Sequence, residues 1–375
     1  KNVDKKKVLL LGGTGTLSMG VLKEALNKGW DITVLNRGIH KKHIPDSVHR
    51  IIGDFKKVET WKEALHSCNF DVVVDFLSRN PADISRVFPI LKNNCKQYIF
   101  ISSACVYRRN EEDFPIKEDS PKPNINWDYN VEKYNSEKEL VKLSQNAPCY
   151  YTIIRPYITY DDERIPFGIA PSYKYHRTII ERLKNGKPMF VWNEGNNITT
   201  LTYVSDFAKG VVGLFSNNAA INEDFHITSD YQYTWNDFWS IFLAKLNLKS
   251  TIYHVDAKDI TKYMPSEKQL LMGDRGLDAS FDNKKIKKAV PSLTFEFNLE
   301  KGIDNLIKYY NELDSWNYDY RYDAIIDKML AKQSLRCFYI KYEKAYRSSW
   351  LIYHIYRYLP YKMANKLCRV IKINQ

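Results

Sequence analysis

Lys7-Val8-Leu9-Leu10-Leu11-Gly12-Gly13-Thr14-Gly15-Thr16-Leu17-Ser18 is the stretch on which the fold of this chain turns. An apolar run this short, closed by glycines, reads as a strand buried on both faces. From about Met19 the pattern becomes helical, and it stops at Gly29. Gly12 can adopt the positive φ of a tight turn, and Gly15 leaves no side chain between backbone N–H groups and an anion at the helix N-terminus. Ser18 stands where such turns often carry a third glycine, and it is small enough for close helix–strand packing. Strand, glycine turn and helix in that order point to the pyrophosphate of a dinucleotide. Gly12, Gly13, Thr14, Gly15, Thr16 and Leu17 are the candidate cradle.

Working outward, short apolar strands alternate with helices. The pattern predicts strands at Ile32–Leu35, up to Ile52, at Asp71–Asp75 and at Gln97–Ser102, with helices at Thr60–Leu65 and residues 82–93. That alternation predicts βαβ units and an α/β, Rossmann-type doubly wound parallel sheet. A charged, Pro-rich loop follows Tyr107, then a helix from about Asp128 to Leu143 and a strand at Tyr151–Arg155. Residues 203–215 predict a helix starting near Asp206, whose role there is capping, and Phe225–Ile227 a strand returning to the sheet. The expected division is a nucleotide-binding domain over 1–156, rejoined by 200–230, a smaller substrate-binding domain over 157–320, and a basic helical tail over 321–375.

The chain has 375 residues, 44% of them hydrophobic, enough for a sizeable core. Its six cysteines fall singly, without metal-ligand spacing, so free thiols in a reducing, cytoplasmic compartment and no metal are expected. No apolar run approaches the length of a membrane span. Residues 331–375 hold ten Lys/Arg against Glu343 alone and so carry nine of the twelve net positive charges. Aromatics and cations interleave there, with Tyr339, Tyr342, Tyr346, Trp350, Tyr353 and Tyr356 among them, until Pro360 interrupts. Such a segment can dock on the body or a second subunit, the favoured reading, or lie on an anionic membrane surface.

Ile99-Phe100-Ile101-Ser102-Ser103 predicts a strand running out into serines, followed by Ala104-Cys105-Val106-Tyr107. Tyr129 comes 26 residues after Ser103, and Lys133 four after that. Positions four apart share a helix face. An ammonium beside a phenol favours the phenolate, so the tyrosine can exchange a proton with an alcohol near neutral pH. At the end of the second strand Asn36-Arg37 stands where an acid would select NAD. A guanidinium there suits a 2′-phosphate, with Lys41 and Lys42 just beyond, and NADP is favoured; the bland alternative is an arginine stacked on adenine or left in solvent.

The glycine turn, Gly53-Asp54, Ser102-Ser103 through Val106-Tyr107, the Tyr129/Lys133 pair, Arg155-Pro156 with Tyr160, and Tyr203-Val204-Ser205-Asp206 occur in one order. In that order the chain resembles the extended short-chain dehydrogenase/reductase family, often called NAD-dependent epimerase/dehydratases. The resemblance covers about residues 7–260 and does not reach the tail. It implies NAD or NADP as cofactor, Ser103 bonding the reacting oxygen, Tyr129 as acid/base, and Lys133 holding the nicotinamide ribose and tuning Tyr129. It further implies a cofactor shell of Asn36, Arg37, Asp54 (toward adenine), Phe55, Phe76, Leu77 and Pro156, and substrate contacts from Arg79, Ser103, Ala104, Cys105 and Tyr157. A second pair, Tyr134/Lys138, overlaps the first. The first is favoured because Glu137 follows Lys133 by four and Arg155 lies at the spacing seen in the family.

The implied activity is an epimerase or reductase acting on a nucleotide-activated sugar through a keto intermediate, in polysaccharide or glycan precursor biosynthesis. Ala104 and Cys105 stand where dehydratases of the family place carboxylates, so a dehydratase would have to use Cys105, which otherwise reads as a small buried hydrophobe. Arg79-Asn80 and Tyr173–Arg177 could face a sugar diphosphate. The turn and Val34-Leu35-Asn36-Arg37-Gly38 also resemble chloroplast stem-loop RNA-binding relatives of the family, which leaves a non-catalytic NAD(P)- or RNA-binding protein as the competing class. A homodimer is expected, and nucleic acid is not favoured as a partner.

Overall fold

The structure is a computed structural model that describes residues 5–39, 44–334, 337–341 and 347–373. Lys41, Lys42, Tyr342 and Tyr346 lie outside the described residues.

The first compact unit comprises residues 1–159, 200–231 and 279–297. Its centre is a parallel sheet of seven strands. These are β1 (Lys7–Leu11), β2 (Asp31–Asn36), β3 (His49–Ile52), β4 (Phe70–Asp75), β5 (Cys95–Ile101), β6 (Tyr150–Pro156) and the late strand Glu223–Ile227. The late strand pairs with β6, and the order continues β5, β4, β1, β2, β3. The chain therefore reverses direction across the sheet between β1 and β4, the switch point beyond whose carboxyl strand ends sheets of this kind bind their ligands.

Side-chain alternation sends successive residues to opposite faces. Val8, Leu10, Val72, Val74 and Ile99 join one buried cluster, and Leu9, Leu11, Val73, Phe100 and Ile153 the other. Helices Thr16–Asn27 and Val204–Gly213 cover the first face with Val21, Leu22, Phe207 and Val211. Helices Pro81–Leu91 and Asp128–Ser144 cover the second with Ile84, Val87, Phe88 and Leu140. Each such side chain contributes about 1.5–3 kcal/mol through burial. A polar exception, the fully buried Gln97, is satisfied by Thr152 at 2.9 Å and the Leu214 carbonyl at 3.0 Å.

The second unit comprises residues 160–199, 232–278 and 298–375. Phe167 sits among Phe190, Trp192, Trp235, Phe238 and Trp239 at ring separations of 4.8–6.1 Å. The same unit holds a charge cluster with no solvent exposure. Lys187 bonds Asp323 at 2.8 Å and Asp327 at 2.6 Å, Arg182 pairs with the same two carboxylates, and the Tyr353 hydroxyl donates to Asp327 at 2.6 Å. Two cations against two carboxylates leave the cluster neutral, the condition under which buried charge is tolerated.

Three expectations change here. Residues 279–297 belong to the first unit, where the Phe297 amide donates to Asp206 at 2.9 Å. Asp206 therefore binds that segment instead of capping a helix, and the helix starts two residues earlier, at Val204. The tail, expected as a separate element, belongs to the second unit. Its helices Arg347–Tyr358 and Tyr361–Val370 bury Ile352, Tyr353, Tyr356, Ala364 and Cys368. Pro360 ends one helix and is the N-cap of the next.

Candidate functional site

The glycine turn follows β1 directly. Gly12 (φ +121°) and Gly13 (φ +115°) both adopt the region that L side chains avoid. A Cβ on Gly13 would lie 3.1 Å from the Val34 side chain, so the turn is pressed against β2. Gly15 caps helix Thr16–Asn27, and Ser18 closes that cap: its hydroxyl accepts the Gly15 N–H at 3.1 Å. Ser18 is buried, and Gly20 lets the same helix approach helix Val204–Gly213, where a Cβ would come within 2.5 Å of the Val204 side chain. No acid occupies the first helical turn, so the positive end of the helix stays available to an anion. The cradle fits a dinucleotide pyrophosphate.

The other expected cofactor residues stand at neighbouring strand ends. Asn36 closes β2, its side chain accepting the Gly38 amide at 2.9 Å, and Arg37 is exposed beside it. Asp54 follows β3; its carboxylate accepts the Lys56 amide at 3.0 Å and its carbonyl accepts the Trp61 indole at 3.1 Å. Phe55 is buried under the Arg86 guanidinium, 5.5 Å from its ring. Phe76 and Leu77 follow β4 and lie against Gly12. Pro156 ends β6.

Lys133 is nearly inaccessible, and its ammonium donates to the carbonyls of Ser78 at 2.8 Å and Ile101 at 3.1 Å. Those carbonyls belong to the chain just past β4 and to the last residue of β5, so Lys133 clamps two strand ends. Burial pulls its ammonium down to about 8 against the opposing pull of Asp75 and Glu137. Asp75 holds the clamp in shape: it accepts the Ser78 hydroxyl at 2.5 Å, the Tyr98 hydroxyl at 2.7 Å, and the amides of Leu77 and Ser78 at 2.9 Å. Ser103 lies two residues past Ile101; its hydroxyl accepts the Cys105 amide at 3.2 Å. Tyr129 is one turn ahead of Lys133 on helix Asp128–Ser144, about a third exposed and packed against Trp127 at 4.7 Å. Lys138, by contrast, is exposed and lies over Tyr134 at 5.0 Å. Of the two overlapping pairs, only the first has its amine at the strand ends.

Beneath this group runs a buried polar chain whose connections have no local signature in the sequence. Ser102 donates to Glu137 at 2.5 Å, and Glu137 takes a two-pronged bond from Arg155 at 2.9 and 2.8 Å. Arg155 also reaches Asp224 at 2.6 Å and the Tyr107 hydroxyl at 2.8 Å. His226 donates from Nε2 to the Asp282 carbonyl at 2.7 Å, so its Nδ1 accepts from Tyr107 at 3.1 Å. Burial pulls His226 down to about 4 and pushes Glu118, which accepts the His226 amide at 3.2 Å, up to about 7. Glu137 and Arg155 appear in the sequence only as spacing marks; here they tie the helix to β6.

Of the candidate substrate residues, Ala104 and Cys105 directly follow Ser103, and Arg109 donates to the Ala104 carbonyl at 3.2 Å. Arg79 is exposed, while Asn80 caps helix Pro81–Leu91 by accepting the Asp83 amide at 3.0 Å. Ala104 and Cys105 are buried in a short helical turn. Tyr157 is buried with the Arg109 guanidinium 5.1 Å from its ring. Arg177, expected to face a diphosphate, is occupied within the second unit by Glu181 at 2.8 Å and the Tyr310 carbonyl. All six cysteines are free thiols.

Residues 8–228 match the model of the NAD dependent epimerase/dehydratase family. The chain belongs to this family. Among curated proteins, the chloroplast stem-loop binding protein of 41 kDa b from Arabidopsis thaliana is 26% identical over 335 residues, spanning 84% of this chain and 80% of the relative. Among solved structures, an epimerase from Methanothermobacter thermautotrophicus aligns at a TM-score of 0.69 and 14% identity, covering 82% of this chain and 93% of that one. A UDP-glucuronic acid 4-epimerase from Bacillus cereus, in complex with UDP-glucuronic acid and NAD, aligns at 0.65 and 17%, covering 82% and 99%. At these identities the structures establish the shared fold, that of an epimerase/dehydratase-family Rossmann sheet.

Proposed function

We propose that this chain is an NAD(P)-dependent enzyme that epimerises or reduces a nucleotide-activated sugar through a keto intermediate. The observation that carries the reading is Lys133, a buried ammonium clamped to the ends of β4 and β5, one helical turn from Tyr129 and beside the loop that holds Ser103. Bound in the glycine cradle, a nicotinamide dinucleotide supplies hydride exchange with the sugar carbon. Gly12 to Leu17 hold the pyrophosphate, Asp54 and Arg37 stand toward the adenosine end, and Phe76, Leu77 and Pro156 line the strand ends. Ser103 bonds the sugar oxygen that becomes a ketone. Tyr129 takes the hydroxyl proton and returns it, and the Lys133 charge stabilises the phenolate. Exposed Arg37 favours a 2′-phosphate and hence NADP. The family assignment supports the epimerase form, in which the same sugar leaves with the configuration at that carbon inverted.

The test is incubation of purified protein with a panel of UDP-sugars, followed by NMR, with bound nucleotide identified by mass spectrometry. Epimerised product that Tyr129→Phe abolishes supports the proposal; no turnover of any sugar nucleotide, with or without NAD(P)H, refutes it. The name of the Arabidopsis relative favours a second reading, stem-loop RNA binding. Salt-sensitive RNA binding untouched by Tyr129→Phe, in a protein without turnover, would select it.

A further inference from the structure

We propose that the outward face of the last two helices is a docking surface for an anionic phospholipid bilayer. Helix Tyr361–Val370 buries Ala364 and Cys368. It turns Met363 (57% exposed), Leu367 (37%) and Val370 (70%) outward. Spacings of four and three residues place these on one stripe. Lys362, Lys366 and Arg369, each one position earlier, form an exposed cationic row beside it. In the preceding helix Trp350, His354 and Tyr358 make a second outward stripe. Its rings are in contact at 4.1 and 6.0 Å, with Trp350 at 55% and Tyr358 at 67% exposure. The inner faces are already occupied: the Arg321 guanidinium lies 5.6 Å from the Tyr356 ring and 5.9 Å from Tyr361, and Tyr356 donates to Asn365 at 2.7 Å. Exposed aliphatic residues in a row are unusual on a surface meant only for water.

Charge chooses the occupant. Residues 347–373 contain Arg347, Arg357, Lys362, Lys366, Arg369 and Lys372 and no acid at all. A second copy of this face would set cations against cations, an arrangement that disfavours pairing. A nucleic acid would match the charge and the exposed rings of Trp350 and Tyr358, but it would leave the aliphatic row Met363, Leu367 and Val370 in water. An anionic bilayer matches both features, drawing the cations to its headgroups and the apolar stripe to the acyl boundary. Among the described residues no helix is long and apolar enough to cross a membrane, so the surface lies on the bilayer.

The test is flotation of the full-length protein with vesicles of phosphatidylcholine alone or mixed with phosphatidylglycerol. Binding to the mixed vesicles only, weakening as salt screens it, is expected. Lys362→Glu/Lys366→Glu should weaken binding by tenfold or more, since each cation contributes about fivefold in affinity. Met363→Ser/Leu367→Ser should weaken it at every salt concentration. All four positions are exposed, so unchanged thermal melts are expected to accompany both effects. No capture by phosphatidylglycerol vesicles, or capture that the charge reversal leaves intact, overturns the proposal. A dimer in light scattering that Met363→Ser/Leu367→Ser dissociates, without vesicle binding, overturns it in favour of a second copy. RNA retention without vesicle binding overturns it in favour of nucleic acid.

Discussion

Replacing Lys133 by Met separates the chemistry of the site from the stability of the fold. Burial draws this ammonium from its ordinary 10.5 to about 8, a charge-burial cost of about 3 kcal/mol at neutral pH. Methionine removes that cost. It also leaves the Ser78 and Ile101 carbonyls without their donor, at about 1–3 kcal/mol each. The opposing contributions nearly cancel, so the variant should melt close to wild type at pH 7. Turnover should fall by about a hundredfold or more, because the phenolate of Tyr129 loses its counter-charge. The pH dependence sharpens the test. The folded state releases this proton near pH 8 and the unfolded state near 10.5, so the group costs wild type its full penalty below pH 8. Stability is regained as pH rises from about 8 to 10.5, and the variant lacks that rise. The assay is thermal denaturation of both proteins from pH 7 to 10 without added nucleotide, beside NMR turnover of the responsive UDP-sugar. Parallel melting curves, or a variant with wild-type turnover, would refute the reasoning.

Glu118→Gln should be neutral near pH 4 and stabilising above pH 7. Burial raises the carboxyl to about 7, so wild type loses stability as pH climbs from the ordinary carboxylate range to that value, and calorimetry at both ends reads the difference. Asp327→Asn leaves Lys187 and Arg182 short of one buried carboxylate and should cost about 3–5 kcal/mol, measured by urea unfolding. Gly13→Ala combines a positive φ with a 3.1 Å approach to Val34; about 1–3 kcal/mol of strain should accompany a loss of nucleotide affinity in titration calorimetry. Arg37→Ala should weaken NADP binding more than NAD binding, and an unchanged ratio would remove Arg37 from cofactor selection.

The parallel sheet was legible because its signals are local: a glycine turn after Leu11, and apolar runs such as Val72–Val74 and Ile99–Ile101 that need no partner to declare themselves. Tyr129 and Lys133 were legible for the same reason, since four residues on one helix fix their common face. What holds Lys133 was not. Asp75, Ser78 and Ile101 reach it over sequence separations that only the finished sheet brings together, and Glu118 and His226 meet 108 residues apart. Asp206 looked like a cap because a helix was expected to begin with it; its partner, Phe297, lies 91 residues on. The tail's burial was half legible: helical spacing advertised its inner residues, while Lys187 and Arg182, which pair with its Asp323 and Asp327, lie more than 130 residues earlier.

The chain passes between its two units after residues 159, 199, 231, 278 and 297. A single cut anywhere therefore leaves at least one of them with a missing piece. Limited proteolysis should not release a stable nucleotide-binding fragment, and swapping one unit onto a relative requires grafting several segments together. Any evolutionary change of substrate in such a chain must come by altering residues in place, because neither unit can be inherited as one continuous stretch.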